Sequence, residues 1–149
     1  MHATDAFAAL IGRMTGAVVR CDAAGVAACF TPEGVYHDYF YGEFVGHDAI
    51  MRLISERFQR DARDMHWAIL DPCSDGVHGY ARFEFRYTAT VAGSEGKQVR
   101  YPGMCCCRLE GGLIAHYTET FDRGVALVQL DFPEARIVKS LRRVAAALG

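Results

Sequence analysis

Proline is scarce here, four residues in 149, tryptophan occurs once, and the 15 glycines are scattered rather than clustered. No Pro-, Gly- or Ser-rich linker interrupts the chain, so it reads as one domain spanning 1–149. No window approaches the about 18 uninterrupted apolar residues of a membrane span. The opening MHATDAFAALIGRM has no basic stretch ahead of an apolar run, and a secretory leader is not expected. Charge of neither sign dominates: 16 Lys and Arg stand against 18 Asp and Glu. That balance argues against a protein built to coat nucleic acid or an anionic membrane. No Gly-rich loop matches a nucleotide fingerprint. The histidines show no HxH or HExxH spacing and the cysteines no CxxC pair, so no metal and no cofactor are assigned. The six cysteines, Cys21, Cys29, Cys73 and the run Cys105 to Cys107, read as reduced thiols of a cytoplasmic protein.

What is present is a core. Half of the chain, 51%, is hydrophobic and 23% is charged, which excludes a disordered chain. Phe7, Leu10, Ile11, Met14 and Val18 recur at helical spacing behind a start signal at Thr4 or Asp5. A short helix is expected from Asp22, with Val26 and Phe30 on one side and Pro32 past its end. Residues 34–39 and 41–45 read as two short strands around a turn. Asp48 can cap a third helix that buries Ile50, Leu53, Ile54 and Phe58.

The period then changes. Residues 66–71 (HWAILD) read as a strand. Residues 79–90 alternate, with Ala81, Phe83, Phe85 and Tyr87 on one face and Arg82, Glu84 and Arg86 on the other. A turn at 92–97 leads to a strand over 98–109, a Gly111-Gly112 hairpin and a last strand over 113–122. A final amphipathic helix starts at Pro133, with Ile137, Leu141, Val144 and Leu148 inward. Helices first and an antiparallel meander later predict an α+β fold: a cone-shaped, curved antiparallel or mixed sheet wrapped around the N-terminal helices, with an extra C-terminal helix. The open end of such a cone is the expected place for a small-molecule ligand.

Three stretches carry a family resemblance: FTPEGVYHDYFYGEFVGHDAI (30–50), RLEGGLIAHYTETFD (108–122) and DRGVALVQLDFPEARIVKSLRR (122–143). Together they resemble the SnoaL-like branch of the nuclear-transport-factor-2-like superfamily. That group includes polyketide cyclases, ketosteroid isomerase, limonene-epoxide hydrolase and scytalone dehydratase. The resemblance implies the same cone-shaped fold and a homodimer formed through the outer sheet face.

It also implies site residues. Asp38 stands where similar isomerases keep a general base, eight residues after the matching phenylalanine, Phe30. At the mouth of an apolar cone its pKa would rise towards neutrality. Equally, Asp38 reads as a turn residue before the YFYG hairpin. Glu119 falls where the epoxide hydrolase has its catalytic aspartate. Its direction depends on the hairpin. A two-residue Gly111-Gly112 turn pairs Leu109 with Ile114 and turns His116, Thr118 and Thr120 to the face of Cys105 and Cys107. A three-residue loop pairs Leu109 with Leu113 and turns Ala115, Tyr117, Glu119 and Phe121 there instead. His66 begins its strand where dehydratase-like relatives place a pocket histidine. Its plainer reading is a partly exposed residue at a strand end. Asp122 is either an acid, as in SnoaL-like cyclases, or a turn cap.

The expected lining is Met14, Tyr36, Phe83, Phe85, Tyr87, Tyr101, Cys105, Cys107, Tyr117 and Phe121. Met14 and Cys105 occupy the isomerase's oxyanion-donor positions, and neither donates a strong hydrogen bond. Phe83 and Phe85 lie about where the hydrolase has an Arg–Asp pair. Three functions stay open: an acid–base enzyme (cyclase, isomerase, dehydratase or hydrolase) built on Asp38, His66 and Glu119, a non-catalytic ligand binder, and a dimerisation module.

Overall fold

A computed structural model describes residues 2–149. Helix α1 spans Ala3–Val19 and buries Phe7, Leu10, Ile11, Met14, Ala17 and Val18 on one face. Helix α2 is a single turn, Ala23–Ala27, capped by the Asp22 carboxylate on the Gly25 N–H at 2.9 Å. Strands β1 (Phe30–Asp38) and β2 (Gly42–Val45) form a hairpin. Helix α3 (His47–Arg52) continues through a wider π-helical stretch, Leu53–Phe58, into α4 (Gln59–Asp61). Strands β3 (Ala62–Ser74), β4 (His78–Ala89), β5 (Gln98–Glu110) and β6 (Leu113–Phe121) follow, then α5 (Arg123–Gln129) and α6 (Glu134–Ala147).

The strands make one six-stranded sheet in the order β2-β1-β6-β5-β4-β3. Only the β1–β6 contact is parallel; the other neighbours are antiparallel. This is the α+β architecture expected from the element order, with α1 lying against β3 inside the curl. Two bulges bend β3. Asp64 (φ +52°) and Asp71 (φ +49°) take left-handed backbone at its two register shifts, where a short acidic side chain is tolerated better than a branched one. Gly103 supports the curl from β5: a Cβ there would lie 2.3 Å from Phe83 Cζ. Glycine lets that ring lie across the neighbouring strand.

Three expectations need correction. Phe30 opens β1 rather than closing α2, because Pro32 and the extended register against Ile114 take over there. Strand β3 begins at Ala62, four positions before His66, since its first bulge hides the alternation. Helix α6 buries none of its residues; Leu141 is 41% exposed and Leu148 85% exposed, while Ile137 alone of the expected face packs on the core.

The β5–β6 hairpin combines both candidate registers. The turn is the two-residue one: Glu110 pairs with Leu113 and Leu109 with Ile114, and Gly111 and Gly112 both have positive φ (57° and 79°). An extra residue, Ala115, is then inserted, so Arg108 pairs with His116, Cys107 with Tyr117 and Cys105 with Glu119. The bulge swaps the two faces of β6. Tyr117, Glu119 and Phe121 therefore reach the concave side from a turn that alone would have sent them outside.

Candidate active site

Asp38 ends β1 on the concave face. Alternation buries Tyr36 and Asp38 and exposes His37 between them. Asp38 is 4% exposed. Its Oδ1 accepts from the backbone N–H groups of Phe40 (2.8 Å) and Tyr41 (2.9 Å). The turn reading and the pocket reading of this residue thus hold together: one carboxylate anchors the loop and faces the cavity. Burial pushes its pKa up to about 6, against the pull of those two N–H groups and the Arg123 charge.

Glu119 reaches the same cavity from β6, two strands' width of sheet being unnecessary because β1 and β6 are direct neighbours. Tyr117 Oη donates to its Oε1 at 2.7 Å. Burial and the negative charge of Asp38 push Glu119 well above the usual carboxylate range, and the Tyr117 hydroxyl only partly offsets this. The two acids are thereby separated in role. Of the two, Glu119 is the one that holds its proton more tightly, because it carries both its own burial and the Asp38 charge.

The walls are aromatic. Tyr36, Phe40, Tyr41, Phe58, Trp67, Phe83, Phe85, Tyr87 and Tyr101 line the space with Asp61, Ala62 and Met65. Trp67 meets Phe83 and Phe85 edge-on, at 5.6 and 5.4 Å between centroids, a favoured aromatic geometry. The cavity itself measures about 50 Å³. The Tyr36 hydroxyl and the Trp67 Nε1 are buried and meet no hydrogen-bond partner among the described residues. Each buried polar group left so costs about 1–3 kcal/mol, which a polar ligand atom would offset. Burial and the Glu119 charge hold the Tyr36 and Tyr101 phenols well above their ordinary pKa, so both are O–H donors.

Of the residues expected at the site, Asp38, Glu119, Tyr36, Phe83, Phe85, Tyr87 and Tyr101 come together around this cavity. His66 does not. It lies on the convex face with Ala68, Glu84, Arg86 and Arg100, because Trp67 points inward and strand neighbours alternate. Met14, Cys105 and Cys107 are buried in the core of the cone, and Tyr117 stands just behind the cavity wall, packed on Tyr36 with its hydroxyl on Glu119. Phe121 stands behind Tyr101, stacked on it at 4.1 Å. The Asp122 side chain accepts from Val125 N at 3.1 Å and caps α5, away from the cavity.

Sequence reasoning missed Phe40, Tyr41, Phe58, Asp61, Ala62 and Met65, which come from the hairpin turn and the α4–β3 junction. The YFYG run was the one visible signal. On the convex face His37, Glu43 and His116 bring ligand-type atoms within 4.8 Å of one another. Spacing rules cannot register them, since they come from three strands. No helix among the described residues is long and apolar enough to cross a membrane.

Residues 11–117 match the family model of the SnoaL-like domain. A comparison with curated protein sequences finds no match. Solved structures with the same fold include a protein with a ketosteroid isomerase-like fold from Catenulispora acidiphila, in complex with trimethylamine. It has 17% identity and a TM-score of 0.74, over 83% of this chain and 93% of that one. An LEH-like epoxide hydrolase from M. tuberculosis is 15% identical with a TM-score of 0.66, over 97% and 96% of the two chains. A candidate polyketide cyclase from Xanthomonas campestris is 16% identical with a TM-score of 0.69, over 87% and 99%. Identities this low speak for the fold alone.

Proposed function

Because the chain belongs to the SnoaL-like domain family, we propose that it is an acid–base enzyme of the cyclase or isomerase kind, acting on a small, largely apolar carbonyl compound. The observation that carries this reading is the pair of carboxyl groups, Asp38 and Glu119, that face one aromatic cavity from neighbouring strands, where burial raises both pKa values. Asp38, ionised, takes a proton from the carbon next to the carbonyl. The C–H electron pair becomes the new carbon–carbon double bond, and the carbonyl electrons move onto oxygen. Glu119, protonated, donates to that oxygen. Glu119 then takes the hydroxyl proton back as the carbonyl re-forms, while Asp38 returns its proton either to the far carbon of an enol conjugated with a second double bond, or to the oxygen of a second carbonyl that the enol carbon attacks to close a ring. Trp67 Nε1 and the Tyr36 hydroxyl are further donors for substrate oxygens.

The test is exchange of the methyl protons of a naphthyl methyl ketone with deuterated solvent, followed by NMR. The wild-type chain should accelerate exchange, and Asp38→Asn should lower the acceleration by about 10²–10⁴-fold. Exchange no faster than buffer, or unaltered in Asp38→Asn, overturns the proposal. The two unpaired donors also favour a second reading, a ligand-binding protein without turnover, which predicts binding of the ketone and no exchange. The homodimer implied by the family resemblance belongs with this proposal. Tyr80 and Met104, 44% and 52% exposed on the convex face, would be covered in it, and sedimentation equilibrium would reveal it.

A further inference from the structure

The acid–base cavity, at about 50 Å³, has room for a few waters, whereas small-ligand sites run to about 300–1,000 Å³. A second hollow of about 590 Å³ lies on the other side of one of its walls. That wall is Phe40, Tyr41, Asp61 and Tyr87, four residues that line both spaces. We propose that the two hollows are one substrate site divided by a Tyr41–Asp61 latch. Its substrate is an elongated apolar carbonyl compound ending in a carboxylate, with the carbonyl in the inner cavity and the carboxylate at Arg136. Placing the carbonyl inside rests on the acid–base reading above; the groove and its charge preference do not.

The latch is a side-chain hydrogen bond between separate elements. Tyr41, on the turn between β1 and β2, donates its hydroxyl proton to Asp61 Oδ2 at 2.5 Å. Asp61, the last residue of α4, is also held by Arg60 through Nε and Nη2, at 2.5 and 2.7 Å. When Tyr41 swings out, Asp61 keeps the Arg60 fork and is not left as an unpaired charge. The Tyr41 hydroxyl passes from a half-buried position towards solvent, where water replaces its partner. No sheet hydrogen bond has to break, because Tyr41 lies outside both strands.

The outer hollow says what the far end of the substrate should be. Its floor is apolar: Leu127, Leu130, Phe132 and Val91. Its acids are already neutralised, Asp61 by Arg60 and the nearby Asp131 by Lys97 at 3.5 Å. Arg136 differs. Its guanidinium lies over the Phe132 ring, 3.9 Å from the centroid, and it has no carboxylate partner among the described residues. Stacking fixes the plane of the fork and leaves its N–H edges free, the arrangement that suits a two-point contact with a carboxylate.

Trp67 is the one tryptophan of the chain and lines the inner cavity, so its fluorescence reports binding without any need for turnover. The probes are naphthoylpentanoate and its methyl ester. The wild-type chain should bind the acid about tenfold more tightly than the ester, the size of one charge-assisted contact. Arg136→Gln should abolish that preference while the ester's affinity stays within about twofold. Tyr41→Phe should raise the association rate of both probes in stopped flow. Equal affinity for acid and ester, a preference that survives Arg136→Gln, or no quenching by either probe overturns the proposal. A slower or unchanged association rate in Tyr41→Phe overturns the latch. The wild-type comparison stands even where a variant fails to fold. Binding with an Arg136-dependent preference but no deuterium exchange sinks the acid–base reading alone. Exchange on the naphthyl methyl ketone without any acid preference sinks the extended site alone.

Discussion

The concave face of one sheet behaves differently at its two ends. At the closed end, Ile11 and Met14 of α1 belong to one core with Cys105, Cys107 and Ile114, and every one of these side chains is 2% exposed or less. Nothing polar is left over there. At the open end, Asp38 is 4% exposed and the Tyr36 and Trp67 donors lack partners among the described residues. Burial alone does not mark the site: Tyr36 and Asp38 are as hidden as the core, while Tyr41, Trp67, Phe85, Tyr87 and Glu119 beside them are only half-buried. What marks it is polar atoms held where water is scarce and left without partners. That separates a packed core from a binding surface within one face.

The contrast predicts opposite outcomes for two substitutions. Glu119→Gln at the open end should lower ketone exchange by about 10²-fold or more, while the melting temperature holds or rises because a strained buried acid is gone. Met14→Ala at the closed end should cost about 2–5 kcal/mol of stability, with exchange per folded molecule retained. Urea melts and exchange rates on both variants check this. A stability loss in Glu119→Gln as large as that of Met14→Ala would erase the distinction between the two ends.

A pH series sharpens the same difference. The pKa of Asp38 is raised from 3.8 to about 6, so the folded state binds its proton more tightly than the unfolded chain does. Its contribution is therefore fully favourable below about pH 4 and is lost as pH rises through about 6. At about 1.4 kcal/mol per pKa unit this amounts to some 3 kcal/mol. Exchange moves the other way and rises through the same midpoint as the base ionises. Asp38→Asn should flatten that part of the stability profile. Unchanged curvature between pH 4 and 7 would show that the carboxyl is not desolvated, and the open end would then be ordinary surface.

Much of this was legible in the chain, for reasons that differ by residue. The period-2 alternation over 79–90 placed Phe83, Phe85 and Tyr87 inside, because a strand offers its side chains only two directions. Glu119 was legible only as a choice of register, since the Ala115 bulge that settles it has no signature beyond a small residue. His66 shows the opposite case: its plainer reading, a partly exposed residue at a strand end, fits its place on the convex face, and the family resemblance drew it in. Tyr41 and Asp61 were not legible, because they meet across a turn and a helix end with no shared period. The same is true of the second hollow, which exists only once α5 and α6 fold back beside the α4–β3 junction.

The smallest effect concerns the edge where the open end is closed off. Asp122 caps α5 through Val125 N, and Asp122→Ala should cost about 1 kcal/mol, the usual worth of such a cap. Its consequence should not be confined to stability. Arg123, the first residue of α5, donates to the Tyr39 carbonyl and lies over the Tyr39 and Phe40 rings at 5.4 and 5.2 Å. Its charge is among the influences holding Asp38 down. A frayed first turn loosens Arg123, so the acidic limb of the exchange profile should move to higher pH while the plateau rate stays. Chemical denaturation and a pH–exchange profile of the variant measure the two parts separately. A stability loss with no movement of the limb would mean that Arg123 is held by Tyr39 and Phe40 rather than by its helix. The open end would then owe the tuning of its base to the hairpin alone.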